Sequence, residues 1–271
     1  MVFSDAEAHE IVATAEALAD AAGEAILPLF RVRGLDTENK DAGGYDPVTA
    51  ADRAAEQAMR QILAKRRPHD GILGEEFGQT AGTSGLTWVL DPIDGTRGFV
   101  CGSPTWGVLI AVGGADGPVL GVIDQPYTGE RFVGGLGQAR WHGPRGTGAD
   151  LRCRDTRVLS DARLCTTFPE IGAPAERAGF ERVARHVQLV RYGMDCYAYA
   201  LLAAGQIDLV IEAGLHAYDI QAPIAVIEAA GGRVTDWEGR PVHDGGRALA
   251  AANQDLHAQA LALLQSGDLS E

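Results

Sequence analysis

Two carboxylates close the apolar run Trp88-Val89-Leu90, and their setting suits the chemistry of bound phosphate. Asp91 and Asp94 follow the run with Pro92 between them, and Gly95-Thr96-Arg97 comes next. The apolar run reads as a buried strand. Pro92 has no amide hydrogen to give a sheet ladder, so regular pairing should fail there. Gly95 and Thr96 then offer unhindered N–H groups where a helix begins, a setting that favours anions. Hard carboxylate oxygens beside such a turn are what a protein needs to hold a divalent cation and a phosphate together.

Other acids recur in the same setting. Glu75 and Glu76 follow the apolar pair Ile72-Leu73, and Glu212 ends Leu209-Val210-Ile211. Asp219 opens a helix whose apolar face is Ile220, Ile224 and Ile227, and Asp52 lies one helical turn past Pro47-Val48. Each of them alone reads as a helix cap or a solvated strand edge. Their shared placement at strand ends and helix starts favours a magnesium site instead. His216 and His243 have no metal-ligand spacing and read as structural.

The elements that must position these groups follow from periodicity. Residues 5–30 carry Ile11, Val12, Ala15, Leu18, Ala19, Ala22 and Ile26 at helical spacing. A polar, Gly-rich loop or hairpin spans 31–46, and Thr49 is the N-cap of a helix that runs to about Arg67. A turn at 68–71 leads into a short strand over 71–76. The runs 107–112, 119–123 and 131–134 read as antiparallel strands, and 139–165 continues the strand-and-turn pattern. Helices are expected over 174–187, 196–204, 219–230 and 255–265, with strands at 188–192, 207–212, 234–236 and 248–252. Gly231-Gly232 should close the third of these helices. Helices sandwiching sheets in both halves give an α/β or α+β layered architecture.

Bulk composition narrows the class. The 271 residues are 46% hydrophobic and 22% charged, which is ordinary for a folded protein able to bury a large core. A net charge of −14 opposes non-specific nucleic-acid binding. Part of that acidity can be neutralised by bound metal, the rest being solubilising surface charge. Cys101, Cys153, Cys165 and Cys196 form no Cys-x-x-Cys pair and are expected as reduced thiols. No secretory signal and no bilayer-length apolar run is visible, so a soluble cytoplasmic protein without a membrane partner is expected.

Four motifs together resemble the inositol monophosphatase family. They are Asp-Pro-Val-Thr-Ala-Ala-Asp (46–52), Gly-Glu-Glu (74–76), Asp-Pro-Ile-Asp-Gly-Thr (91–96) and Tyr-Asp-Ile-Gln-Ala-Pro through Gly-Gly (218–232), in the family's order. The resemblance implies an αβαβα sandwich of the inositol monophosphatase and fructose-bisphosphatase type. It implies one compact unit over 1–271: an N-terminal half to about 150 with the antiparallel sheet and metal motifs, and a C-terminal α/β half over 151–271 with substrate-side residues. Two to three Mg²⁺ ions are implied. Glu75, Asp91 and the Ile93 carbonyl would hold one; Asp91, Asp94 and Asp219 a second; a third, weaker ion would lie near Glu75. Gly95 and Thr96 N–H groups would bind phosphate, while Asp52 and the Thr96 hydroxyl, assisted by Glu75, would orient and deprotonate the attacking water. No phospho-enzyme is required. Haloacid-dehalogenase-type phosphatases place their two Asp residues two apart, whereas here they are three apart across a proline. A non-catalytic relative would be expected to have lost an acid or Thr96, and none is lost. Family habit implies a homodimer.

The substrate choice rests on neighbouring residues. Asp-Gly-Thr-Arg-Gly-Phe (94–99) and Gly-Met-Asp-Cys-Tyr-Ala-Tyr (193–199) resemble the family's histidinol-phosphatase branch. Histidinol phosphate carries an ammonium and an imidazole, and a cation near a buried site needs an anionic partner. Asp195 and Glu212 are the candidates, and Arg97 either contacts phosphate or braces its loop. Asp195 can also cap the helix from Cys196, and at least one of Tyr197 and Tyr199 is expected in the core. An inositol monophosphatase or a broad sugar-phosphate phosphatase is the alternative. Lys40 in its Gly-rich loop has no fixed register, and Tyr218 stands where many relatives have Trp.

Overall fold

The first helix, α1 (Asp5–Ile26), begins where Ser4 and Glu7 exchange hydrogen bonds in a capping box. Its apolar stripe then turns Ile11, Ala15, Leu18 and Ala22 inward. A computed structural model describes residues 3–33, 37–39 and 47–266; Lys40 and most of the Gly-rich loop lie outside them. Short strands β1 (Thr37–Asn39) and β2 (Pro47–Thr49) pair antiparallel, which favours the hairpin reading of this region. Thr49 caps α2 (Ala50–Arg66) in a second capping box whose returning side chain is Asp52.

The chain continues through β3 (Gly71–Gly74), β4 (Gly78–Thr80), β5 (Thr87–Asp94), α3 (Thr96–Val100) and β6 (Gly107–Gly114). Four more strands follow: β7 (Gly117–Gln125), β8 (Glu130–Gly135), β9 (Gln138–His142) and β10 (Gly148–Asp150). Then come β11 (Arg163–Thr166), α4 (Pro174–Ala184), β12 (Leu189–Tyr192), α5 (Cys196–Ala203) and β13 (Leu209–His216). The described chain closes with α6 (Ala217–Ala229), β14 (Arg233–Thr235), β15 (Gly245–Ala251) and α7 (Gln254–Gln265).

Eight strands form one sheet in the order β10-β9-β8-β7-β6-β5-β3-β4, antiparallel except for the β3–β5 pair. A five-stranded sheet, β12-β11-β13-β15-β14, mixes parallel and antiparallel pairs. Alternation along the strands assigns residues to layers. Trp88 and Leu90 of β5 join Leu18 and Met59 in a core between the large sheet and α1–α2. Val89, with Leu109 and Ala111, faces the other way, toward Ala200 of α5 and Ile220 and Val226 of α6. Leu209, Ile211 and Leu249 of the small sheet pack on Phe180 and Leu256 of α4 and α7. The result is the expected αβαβα order, with α5 and α6 between two sheets. Gly134 lets α6 lie directly on the large sheet, since a Cβ there would meet the Val226 Cα at 2.4 Å. The four cysteines are free thiols. Among the described residues, no helix is long and apolar enough to cross a membrane.

Candidate active site

The central device is an irregularity in β5. Asp91 lies opposite Leu109 and Asp94 opposite Gly107, so three steps on β5 face two on β6. That is a bulge, and it falls at Pro92, which has no N–H for the ladder. The strand is not ended there, only offset. Residues three apart on a regular strand point to opposite faces, but across the bulge they agree. Leu90 and Ile93 both enter the α1–α2 core, while Asp91 and Asp94 turn toward the α5–α6 layer.

Asp219 meets them from the start of α6. Its carboxylate accepts the His216 N–H at 2.6 Å, and one oxygen each from Asp91, Asp94 and Asp219 lies within 4.8 Å of the others. Asp91 accepts from the Ile93 N–H at 3.1 Å, and the Thr96 hydroxyl donates to the Ile93 carbonyl at 3.0 Å. Burial holds the Asp91 carboxyl well above the usual range, and the charges of Glu75, Asp94 and Asp219 add to it. Asp94 is raised in the same way, by burial and then by Asp195 and Asp219. Asp219 is pushed to about 6, again chiefly by burial.

These groups line a cavity of about 340 Å³, with Glu75, Ile93, Gly95, Thr96, Arg97, Asp195 and Glu212 around the same wall. Among the described lining residues six carboxylates therefore face one arginine, a balance that fits a hard dication held by oxygen ligands. Gly95 makes the turn into α3 at φ +84°, and a Cβ there would meet the Asp195 Cγ at 2.8 Å. Asp52 is not among the lining residues. It is fully buried at the start of α2, its Oδ2 taken by the Thr49 hydroxyl at 2.6 Å. Its Oδ1 has no hydrogen-bond partner among the described residues. Burial, with a contribution from Glu75, brings Asp52 to about 6.

Around the rest of the cavity, Glu212 is buried and accepts from the Thr166 hydroxyl at 3.1 Å, the Thr167 N–H at 2.7 Å and the Thr167 hydroxyl at 2.9 Å. Burial raises it to about 7. Asp195 is raised by burial to about 6, opposed by the Thr105 hydroxyl and Arg97. The Asp195 side chain does not cap α5, which corrects that expectation. Asp94 takes the part, accepting the Cys196 N–H at 2.6 Å across 102 residues of sequence. The Arg97 guanidinium sits over the Phe168 ring at 4.9 Å. His216, read as structural from sequence, lines the cavity and stacks on Tyr218.

The two tyrosines of α5 part company. The Tyr197 hydroxyl donates to Glu130 at 2.8 Å on the side away from the site. Tyr199 lines the cavity, its buried hydroxyl without a partner among the described residues. Sequence reasoning missed this role, although the two-residue offset on a helix already required different faces.

The family model described as the inositol monophosphatase family matches residues 7–268. The chain belongs to the inositol monophosphatase family. Enzymes of this family, histidinol phosphatases among them, hydrolyse phosphoric monoesters and use magnesium. Within the family, the chain is similar to the bifunctional phosphatase IMPL2 of Arabidopsis thaliana, a chloroplastic protein, at 42% identity over 97% of this chain and 77% of that one. It is 36% identical to a histidinol-phosphatase of Mycobacterium tuberculosis, over 96% of this chain and 99% of the relative. A solved inositol monophosphatase from Zymomonas mobilis superposes with a TM-score of 0.83 at 38% identity, covering 95% and 98% of the two chains.

Proposed function

We propose that this family member is a Mg²⁺-dependent histidinol-phosphate phosphatase, serving histidine biosynthesis. The observation that carries the substrate choice is Glu212. It is a buried carboxylate in the cavity wall whose hydrogen bonds among the described residues, from Thr166 and Thr167, all come from neutral donors. A buried anion of this kind is completed by a cation, and histidinol phosphate brings an ammonium and an imidazole on its alcohol side. Asp195, on the same wall, offers a second anionic contact.

In this reading Glu75, Asp91 and the Ile93 carbonyl hold one Mg²⁺, and Asp91, Asp94 and Asp219 hold another, with a weaker third near Glu75. Bound magnesium neutralises phosphate charge and eases ionisation of the attacking water. The Gly95 and Thr96 N–H groups and Arg97 hold the phosphoryl oxygens. The Thr96 hydroxyl orients the water, and Asp52, buried behind the cavity wall, receives its proton by way of Glu75 on that wall. Attack is in line and forms no phospho-enzyme. The two layered halves act as one unit, in a cytoplasmic homodimer.

The likeness to the Zymomonas inositol monophosphatase favours a second reading, an inositol monophosphatase or a broad sugar-phosphate phosphatase. Phosphate release from histidinol phosphate, inositol monophosphate and fructose bisphosphate, with and without Mg²⁺, separates the two. Histidinol phosphate should have the highest kcat/KM, and only with Mg²⁺. Equal or better turnover of inositol monophosphate rejects the assignment.

A further inference from the structure

We propose that Glu56, which belongs to none of the motifs above, is a positioning residue for the metal-binding turn at Glu75. The inference rests on the reading of Glu75 as a magnesium ligand. Glu56 lies on α2 one helical turn after Asp52 and is fully buried. Its carboxylate accepts the Glu76 N–H at 2.7 Å and the Phe77 N–H at 3.2 Å, the two amides that follow Glu75. Its remaining partner is Arg60, whose Nε donates at 2.7 Å. Arg60 in turn binds the Gly78 carbonyl and the Thr80 hydroxyl. One pair of side chains on α2 thus fastens the β3–β4 turn together with the strand that leaves it.

The Glu75 backbone is consequently held on both sides. Its own N–H donates to the Leu90 carbonyl of β5 at 3.1 Å, and the next amide is tied to Glu56. Only side-chain torsions are left to decide where the Glu75 carboxylate goes. Sequence and structure make room for the device at Gly74, where a Cβ would lie 1.9 Å from the Glu56 Oε1. A buried carboxylate is costly, and a well-packed apolar side chain would serve stability alone as well or better. Its charge is used here to fix two amides beside a ligand, the kind of outer support that sets metal affinity. Because Asp52 and Glu56 share α2, the group that takes the water's proton and the turn that carries Glu75 are held by one rigid element.

The test is a calorimetric titration of the metal-free full chain with Mg²⁺, comparing wild type, Glu56→Gln and Glu75→Gln, with unfolding temperature in EDTA recorded alongside. Glu56→Gln should weaken Mg²⁺ binding by about tenfold or more, and raise the Mg²⁺ needed for half-maximal activity in step. Wild-type affinity in Glu56→Gln, with Glu75→Gln weakened, overturns the proposal even where the unfolding temperature falls, since a purely structural role predicts that pattern. Wild-type affinity in Glu75→Gln removes the ligand reading itself and the proposal with it. Should Glu56→Gln not fold, Glu56→Asp keeps the charge but withdraws it by one methylene. That variant should bind Mg²⁺ several-fold more weakly, and unchanged affinity in the folded protein overturns the proposal.

Discussion

At the scale of residues, the cavity brings several carboxylates together on one wall, so each acid is testable by removing its charge alone. Asp94→Asn keeps an oxygen for the Cys196 amide and should leave the fold intact. It should nevertheless lower phosphate release at least about a thousandfold, because a ligand between metal and substrate is lost. Retained activity would refute the metal assignment. Asp195→Ala should cut kcat/KM for histidinol phosphate about a hundredfold while changing turnover of a neutral phosphate ester by much less; a uniform loss would count against its ammonium role. Tyr199 gives an opposite kind of prediction. Its hydroxyl is buried without a partner among the described residues, so Tyr199→Phe should change unfolding free energy by less than about 1 kcal/mol, or stabilise, in urea melts.

At the scale of elements, the turn between β5 and α3 is where backbone geometry and chemistry meet. Gly95→Ala places a methyl at φ +84° and against Asp195. It should cost about 1–2 kcal/mol in stability and lower activity together, as read by urea unfolding and phosphate release. The sequence displayed this element well: Trp88 to Leu90 read as a strand, Pro92 as an interruption, and Thr49 as the cap of α2. It was less legible where partners are distant in sequence. Asp195 looked like the local cap of α5, yet Asp94 occupies that amide from another strand, and no local pattern records such a replacement. Glu56 was invisible for the same reason, since its partners at 76 and 77 are reached only when the β3–β4 turn folds onto α2. The helix boundary near 187 also fell short, α4 ending at Ala184, where the following turn is held by His186 binding the Arg182 carbonyl.

At the scale of the whole molecule, the cluster links stability to pH and metal. Asp219 and Glu212 have ordinary values of 3.8 and 4.5 but sit at about 6 and about 7 when folded. Their contribution is therefore complete below the ordinary values and is lost as pH rises through about 6 to 7. His257, lowered by burial to about 4 from 6.5, works in the other direction, opposing the fold as pH falls from about 6.5 through about 4. Metal-free protein should thus lose unfolding temperature as pH rises from about 4 to about 7, and saturating Mg²⁺ should flatten that slope. A slope unchanged by Mg²⁺ would contradict the placement of metal among these acids. The extra residue in β5 carries a consequence beyond the site. Regular pairing through this point, with Asp91 and Asp94 still three residues apart, would send one of the two carboxylates into the apolar layer beneath. Drift toward a better-paired sheet and drift toward a working catalyst pull apart at that point.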